Sequence, residues 1–395
     1  MLQMVWLGSE PKIIDTKSAL WKNEKFGLKI DDSRKTNVER AIFYNIFVPK
    51  HTNNQRLKSG SDPKGNYALG LVEEQLKYFR SASEFVQRSS IHYTLIGDIK
   101  VSEDIDRLCN DAFGTNSDES KCHQLRAVEE GDEGLTLESV YDYCGEHPKA
   151  QVTYLHNKGS FHPSPHNTAM RRLLTKGVFS DECQAMPTGE CTVCASRFSP
   201  LPHTHMSGNM WTADCSYIQK LIRPSEFASR MDAMVEHSLA LNDESIFPKP
   251  GRKYLERPYD YGLNRFSFEY WVGSHPALKP CDVYPNSEYA YGFANLDASE
   301  AAISAKESGW KPILRKVPWI PLERFWHWSF NEWFCGRGRL AQYKFLYGEY
   351  PDADSFFWPY YDKPVKKPFK NFYSFLDRGC PTPIKQSDYL ERPSL

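Results

Sequence analysis

Three short apolar runs, each ended abruptly by polar residues, constrain the fold of this chain most strongly. A strand that is covered on both faces of a sheet is continuously apolar, which is typical of parallel sheets. The runs lie at 41–49, 90–97 and 151–155, and an apolar pattern with helical spacing over 68–82 connects the first two. A strand, a helix and a second parallel strand form a βαβ unit. The sequence therefore predicts an α/β fold with a mostly parallel sheet flanked by helices.

Composition divides the 395 residues into three parts. Residues 1–36 mix charged and polar side chains without a clear period, which predicts an N-terminal extension. Residues 37–300 carry the predicted strands and helices and are expected to form one domain. Beyond residue 300 the chain turns to Trp- and Pro-containing segments such as VPWIPLERFWHWSFNEWF, with one helix predicted over 340–346. We interpret 301–395 as an aromatic-rich C-terminal extension that wraps around the domain.

Charge and hydropathy exclude two classes of function. Lys and Arg total 49 against 50 for Asp and Glu, so no long-range positive field attracts nucleic acid or an anionic membrane surface. No run of 18 apolar residues is present, and the segment MLQMVWLGSEPK is too short for an anchor. The chain is expected to have no membrane segment and to be soluble as given. The compartment stays open, with a secretory or Golgi location if an N-terminal anchor is missing.

The segment HNKGSFH follows the third predicted strand and concentrates cationic groups there. Lys158 and the backbone amides around Gly159 are suited to face an anionic group such as a diphosphate, to which His156 would donate a hydrogen bond. The segment is not a P-loop, because the GxxxxGK[ST] pattern is absent. An ordinary turn with a solvated lysine is one alternative. A metal site of His156, His162 and His166 is another, although their spacings match no standard site.

A cysteine cluster lies between the third strand and residue 208. Cys191 and Cys194 form a CxxC pair, and Cys183 precedes them. CxxC is the compact half of many structural zinc sites, so these three cysteines predict a possible structural Zn²⁺. Disulfides or reduced cysteines are the alternative, because a second CxxC pair is missing.

Two further segments combine polar and aromatic residues. In SGNMW, Gly208 precedes Asn209 and Trp211, which suggests a close approach of backbone to a ligand; a tight turn with a core tryptophan is the alternative.

In RFSFEYW, Glu269 lies among aromatic residues that would partly desolvate its carboxylate and suit it to base chemistry. Pairing with Arg265, four residues away, is the alternative.

Six segments in this order resemble a family of GT-A-type glycosyltransferase-like proteins. The family occurs in bacterial polysaccharide clusters and in expanded sets in microalgae, and typically reads YLHxKG and GNxWWA. The resemblance covers roughly residues 41–282 and rests on IFYNIFVP, EEQL, YTLIGD, YLHNKG, SGNMWTADCSYIQKL and EYWVGSHP.

The resemblance implies a GT-A, Rossmann-like fold that transfers a sugar from a nucleotide-sugar donor to a hydroxyl of a carbohydrate or glycoconjugate acceptor. The residues it implies fall into three groups: His156, Lys158, Gly159 and Arg171 for the donor phosphates; Asn209, Trp211, Trp271 and His275 for the sugars; and Glu269, with Asp282 as a fallback, for the catalytic base.

Two departures from the family pattern bear on the chemistry. Met-Trp-Thr stands where the family often has a tryptophan pair, and the strand that should end in an Asp-x-Asp metal motif ends in His156-Asn157-Lys158. Dependence on Mn²⁺ or Mg²⁺ therefore stays open. The rival functions are a zinc-supported hydrolase that uses the His and Cys residues and a carbohydrate-binding relative without turnover.

Overall fold

A computed structural model describes the residues that form the body of the protein. These are 30–50, 66–113, 121–196, 198–199, 205–206, 208–240, 263, 266–283 and 345–348. Most of the predicted N-terminal extension and nearly all of the predicted C-terminal extension lie outside these residues. The division at residues 36 and 300 stays a prediction. No helix in the described ranges is long and apolar enough to cross a membrane.

Among the described residues, seven strands form the main sheet and two form a small hairpin. The main-sheet strands are β1 (Arg40–Val48), β2 (Ser90–Gly97), β3 (Cys122–Val128), β4 (Gln151–His156), β5 (Val193–Ala195), β8 (Trp211–Asp214) and β9 (Pro280–Asp282). The hairpin strands are β6 (Phe198–Ser199) and β7 (His205–Met206).

Helices connect these strands. They are α1 (Arg34–Asn37), α2 (Asn66–Arg80), α3 (Glu84–Gln87), α4 (Ser102–Phe113), α5 (Gly134–Glu146), α6 (Pro165–Val178), α7 (Asp181–Gln184), α8 (Cys215–Ile218), α9 (Pro224–Ala240) and α10 (Ser267–Trp271). A 3-10 turn, Ile99–Val101, precedes α4, and residues 345–347 form one more helical turn.

The main sheet is mixed but mostly parallel. Its strand order is β3-β2-β1-β4-β8-β5-β9. The strands from β3 to β4 are parallel, β8 is antiparallel to both of its neighbours, and β9 is parallel to β5. Six of the seven strands therefore run in one direction. The predicted α/β class and the mostly parallel sheet are confirmed.

The predicted βαβ opening is also confirmed, since β1, α2 and β2 occupy the predicted stretches. The strand predicted over 90–97 has the observed bounds. Strand β3 was missed because it lies at the sheet edge and most of its residues are exposed, so no apolar run marks it. Residues 340–344 of the predicted late helix lie outside the described residues, and residues 345–347 are helical.

Two hydrophobic layers cover the two faces of the sheet. On β1, Ala41 and Phe43 belong to the layer that contains α5, α8, α9 and α10. Ile42 and Tyr44 belong to the layer that contains α2, α4 and α6. Alternate residues of one strand are thus buried on opposite faces, which explains why the run is apolar throughout.

The order in which strands are added reverses between β1 and β4. From β1 the chain adds β2 and then β3 on one side, and afterwards places β4 on the other side of β1. In open α/β sheets, ligands bind beyond the carboxyl ends of the strands where this reversal occurs. The ends of β1 and β4 are therefore where a site is expected.

The half-buried histidine of β2, His92, predicts that acid weakens the fold. Burial lowers the pKa of His92 from 6.5 to about 4, and nearby His123 and His147 lower it further. Because this pKa lies below its unfolded value, the unfolded chain binds more protons, and stability falls as the pH decreases from about 6.5 to about 4. We expect His92→Gln to reduce this decline, as measured by urea denaturation across that range.

His275 sets a limit on the size of this effect. Its pKa is also lowered to about 4, mainly by burial, so part of the acid-dependent decline should persist in His92→Gln. The exposed His162 provides the control, and His162→Gln should follow the wild-type curve. A decline in His92→Gln as steep as that of the wild type would contradict the assignment.

Candidate functional site

The segment HNKG forms a tight turn at the carboxyl end of β4. His156 is the last strand residue, and the backbone amide of Lys158 donates to its carbonyl at 2.9 Å. The amide of Ser160 then donates to the carbonyl of Asn157 at 3.1 Å, and Gly159 has φ of +93°. Glycine adopts this left-handed backbone without strain. The turn therefore depends on a glycine at 159.

Asn157 ties this turn to β1. Its side-chain oxygen accepts from the amide of Phe47 at 2.9 Å, and its side-chain nitrogen donates to the carbonyl of Phe47 at 2.9 Å. The side chain is 2% exposed. Asn157 thus replaces one step of backbone pairing at the end of the two central strands, and it fixes the position of Lys158.

Lys158 carries the cation of this strand end. Its aliphatic stem lies against Gly208, with Cε 3.5 Å from where a Cβ at position 208 would stand. Within the described ranges, no acceptor or carboxylate pairs with its ammonium group, which is partly exposed. A cation held in this way remains available to an anionic ligand.

Arg171, in contrast, is committed to the protein. It is 1% exposed, and its guanidinium binds Glu74 through Nε and Nη2 at 3.1 and 2.9 Å. Its Nη1 donates to the carbonyl of Lys158 at 2.9 Å. The predicted role of Arg171 in contacting donor phosphates is therefore corrected to one of positioning the turn.

His156 is bonded inside the protein through one of its two ring nitrogens. Its Nε2 lies 2.8 Å from the carbonyl of Gly208 and must be the donor, because a carbonyl oxygen only accepts. Its Nδ1 lies 3.9 Å from Oε1 of Glu133. The ring therefore connects β4 to the segment that precedes β8 through Nε2. The predicted contact of His156 with a diphosphate stays a prediction for Nδ1 alone.

Glu133, at the start of α5, organises the polar side chains behind the turn. Its Oε2 accepts from the hydroxyl of Tyr154 at 3.0 Å and from Nδ2 of Asn209 at 2.5 Å. Burial and the carboxylates of Glu133, Asp132 and Glu269 raise the pKa of Tyr154 well above its usual value. Tyr154 is therefore held neutral, as a hydrogen-bond donor. Sequence reasoning missed Glu133, although the acidic run before α5 was a usable signal.

Asn209 has the strained backbone of this region. Its φ is +47°, the only positive value at a non-glycine position in the described ranges, and its side chain is fully buried. Its Oδ1 accepts from Nε1 of Trp211 at 3.0 Å. Because both ends of its amide are bonded inside the protein, the predicted sugar contact of Asn209 is corrected to a contact with Glu133 and Trp211.

The two predicted sugar-binding tryptophans lie in the core. Trp211 and Trp271 are both 0% exposed, and their ring centroids are 6.2 Å apart. Nε1 of Trp271 donates to the carbonyl of Ile222 at 2.7 Å. Neither ring can stack on a sugar in this arrangement. The core alternative for Trp211 describes the structure, and the sugar-binding prediction for both residues is corrected.

Glu269 is brought to the region of Glu133. It lies on α10 and is partly exposed, and its charge acts on the hydroxyl of Tyr154. The adjacent Phe268 packs against the first turn of α5, since a Cβ at Gly134 would lie 2.7 Å from its ring. Arg265, the alternative partner of Glu269, lies outside the described residues.

Asp282 and His275 are not assembled with Lys158. Asp282 is on β9, three strands from β4, which corresponds to about 14 Å. His275 accepts a hydrogen bond from the amide of Ala277 at 3.0 Å and packs against Tyr347 with centroids 4.7 Å apart. The structure therefore does not bring these two residues to Lys158, and their predicted roles stay predictions.

The predicted zinc cysteines are paired in disulfides. Cys183 is joined to Cys194, and Cys191 to Cys281. This is the disulfide alternative, and it corrects the structural Zn²⁺ prediction because a disulfide sulfur has no thiolate to offer a metal. Two further disulfides are Cys109–Cys122 and Cys144–Cys215, and no cysteine in the described ranges is free.

The clamp formed by Asn157 predicts a measurable loss of stability. Asn157→Ala removes both side-chain bonds to Phe47 and leaves buried backbone groups unpaired, so we expect a loss of about 1 to 3 kcal/mol in the free energy of unfolding. Urea denaturation measures this loss. Asn37→Ala, at an exposed position on α1, should change stability by less than about 0.5 kcal/mol. Equal effects of the two substitutions would refute the clamp.

Comparison with known proteins places the chain in a family. No curated protein and no solved structure matches it. One family model, described as a domain of unknown function (DUF8361), matches residues 43–360, so it begins within β1 and includes β4, α10 and the candidate site. The chain belongs to the DUF8361 family.

Proposed function

We propose that this protein is a GT-A-type glycosyltransferase that moves a sugar from a nucleotide-sugar donor to a hydroxyl of a carbohydrate or glycoconjugate acceptor. The proposal rests mainly on the position and the unpaired charge of Lys158. Its ammonium group has no partner in the described part of the chain, and it lies at the carboxyl end of β4, where the strand order reverses. The sequence resemblance through YLHNKG and SGNMW supports the same function.

The chemistry follows from the charge of the donor. When the glycosidic bond breaks, negative charge increases on the departing diphosphate, and a cation that is already in place stabilises this charge without reorganisation. Lys158 supplies that cation. Asn157 and Arg171 hold the backbone of Lys158 through Phe47 and the carbonyl of Lys158, so the base of the lysine side chain is positioned before the donor binds.

The end of β4 does not fit a divalent metal. It has an imidazole, an amide and an ammonium in place of the carboxylates that Mg²⁺ and Mn²⁺ prefer. No group of three potential ligands occurs among the described residues. In the proposed reaction, Lys158 compensates the negative charge of the donor diphosphate.

Glu269 is proposed as the base that removes the proton from the acceptor hydroxyl. It is partly exposed, and the described residues include no hydrogen bond or ion pair of its side chain. Glu133, the neighbouring carboxylate, is already bonded to Tyr154 and Asn209. The less committed carboxylate is the better candidate for proton transfer.

The disulfides favour an oxidising compartment for this reaction. The eight cysteines in the described ranges form four disulfides. Such bonds persist in secretory compartments and are rare where thiols are kept reduced. We propose that the protein works in the secretory pathway, where glycoconjugate acceptors pass.

Lys158→Ala is expected to weaken nucleotide binding about 10- to 150-fold, since a hydrogen bond to a charged group contributes about 1.5 to 3 kcal/mol. Calorimetry with UDP, GDP and CMP, each with and without Mn²⁺, measures the change. Lys149→Ala is the matched control, because Lys149 is exposed at the opposite end of β4. If wild-type protein binds none of these nucleotides, the glycosyltransferase proposal fails.

Glu269→Gln is expected to leave nucleotide affinity unchanged and to lower sugar transfer at least about 100-fold, because general-base catalysis contributes about 10²- to 10⁴-fold. Nucleotide release from UDP-, GDP- and CMP-sugars in the presence of mixed oligosaccharides measures transfer. Glu236→Gln, on the exposed side of α9, is the control. Full transfer by Glu269→Gln at an unchanged melting temperature would remove Glu269 from the reaction.

A further inference from the structure

Phe161 is an aromatic side chain exposed where burial would be expected. It is 55% exposed, and it is the only aromatic residue among the exposed large hydrophobic side chains of the described ranges. A single exposed apolar residue is ordinary on a protein surface. The position of Phe161, three residues after Lys158, distinguishes it from the others.

Two other rings hold Phe161 in place. Its ring meets Phe47 in a T-shaped contact with centroids 5.8 Å apart, and it meets His162 in a second T-shaped contact at 4.5 Å. Phe47 is the residue whose backbone Asn157 fixes. The exposed ring is therefore attached to the same rigid junction of β1 and β4 that positions Lys158.

We propose that Phe161 is the stacking platform for the base of the nucleotide whose phosphates meet Lys158. This inference rests on the proposed function, because it assigns the base subsite of the same ligand. Two residues lie between Lys158 and Phe161, so their Cα atoms are at most about 11 Å apart. A base, its ribose and two phosphates extend over a comparable length, so one nucleoside diphosphate can reach both.

An aromatic ring suits the base and not the phosphates, because a base has a flat π-face and a diphosphate has none. Stacking of a base on an aromatic side chain contributes about 1 to 3 kcal/mol and tolerates different bases. A ring held by its neighbours contributes without losing much conformational freedom on binding. The exposed ring of Phe161 thus supplies affinity for the nucleoside part, and Lys158 supplies affinity for the phosphates.

The test compares ligands with and without a base. Calorimetry with full-length protein measures the affinities of UDP, GDP, CMP and pyrophosphate for wild type, Phe161→Ala and Phe161→Trp. We expect Phe161→Ala to weaken nucleotide binding about 5- to 150-fold and to leave pyrophosphate binding unchanged. Phe161→Trp should retain nucleotide binding. Leu125→Ala, at an exposed apolar position on the β3 edge, is the matched control and should change neither.

The other outcomes separate the two proposals. If wild type binds nucleotides and Phe161→Ala binds them equally well, the stacking role is overturned while the proposed function stands. If Phe161→Ala loses affinity for UDP and pyrophosphate equally, the ring acts on the shape of the turn and not on the base, which also overturns the inference. No nucleotide binding by wild type would overturn both proposals.

Discussion

The parallel pairing of β1 with β4 is the constraint on which the rest of the structure depends. It brings together two chain segments that are about a hundred residues apart, and it creates the reversal of strand order at which a ligand can bind. Backbone pairing ends near Asn45 and His156, and the side chain of Asn157 extends it by one step to Phe47. A slip of one residue would turn the side chains of β4 to the opposite faces. The cation and the exposed ring both keep their positions because this junction is fixed.

Two groups of polar contacts hold the turn at the end of β4 in place. On one side, Glu74 binds both Arg171 and Arg172, and Arg171 reaches the backbone of Lys158. On the other side, His156 and Glu133 connect the strand to Gly208 and Asn209. Buried polar groups that are fully bonded define a single arrangement, and partly bonded ones do not. The network therefore explains why several residues with the chemistry of a binding site serve instead to position Lys158.

The local sequence shows which segments are buried, but it does not show which distant residues come into contact. The strands at 90–97 and 151–155 were predictable because burial on both faces removes polar residues from the run. Lys158 could be placed at a strand end for the same reason. Trp211 and Asn209 could not be assigned, because a residue type does not reveal which side of a turn faces solvent. Asn157 was missed because its partner, Phe47, is distant in the chain. The acidic run before α5 marks the region of Glu133, but only tertiary contacts show that this carboxylate is the one that meets Asn209.

The disulfide between Cys144 and Cys215 has a topological consequence for the site. The two cysteines are 71 residues apart, and the covalent ring they close contains β4, the turn with Lys158 and Phe161, and Asn209. In the chain-entropy description, a ring of this size restricts the denatured ensemble by about 4 kcal/mol. Lys158 and Asn209 consequently stay tethered to one another even when the sheet has opened. The segment that carries Lys158, Phe161 and Asn209 is therefore a covalently closed ring within a larger domain, and these residues return to their places after denaturation by a search within that ring.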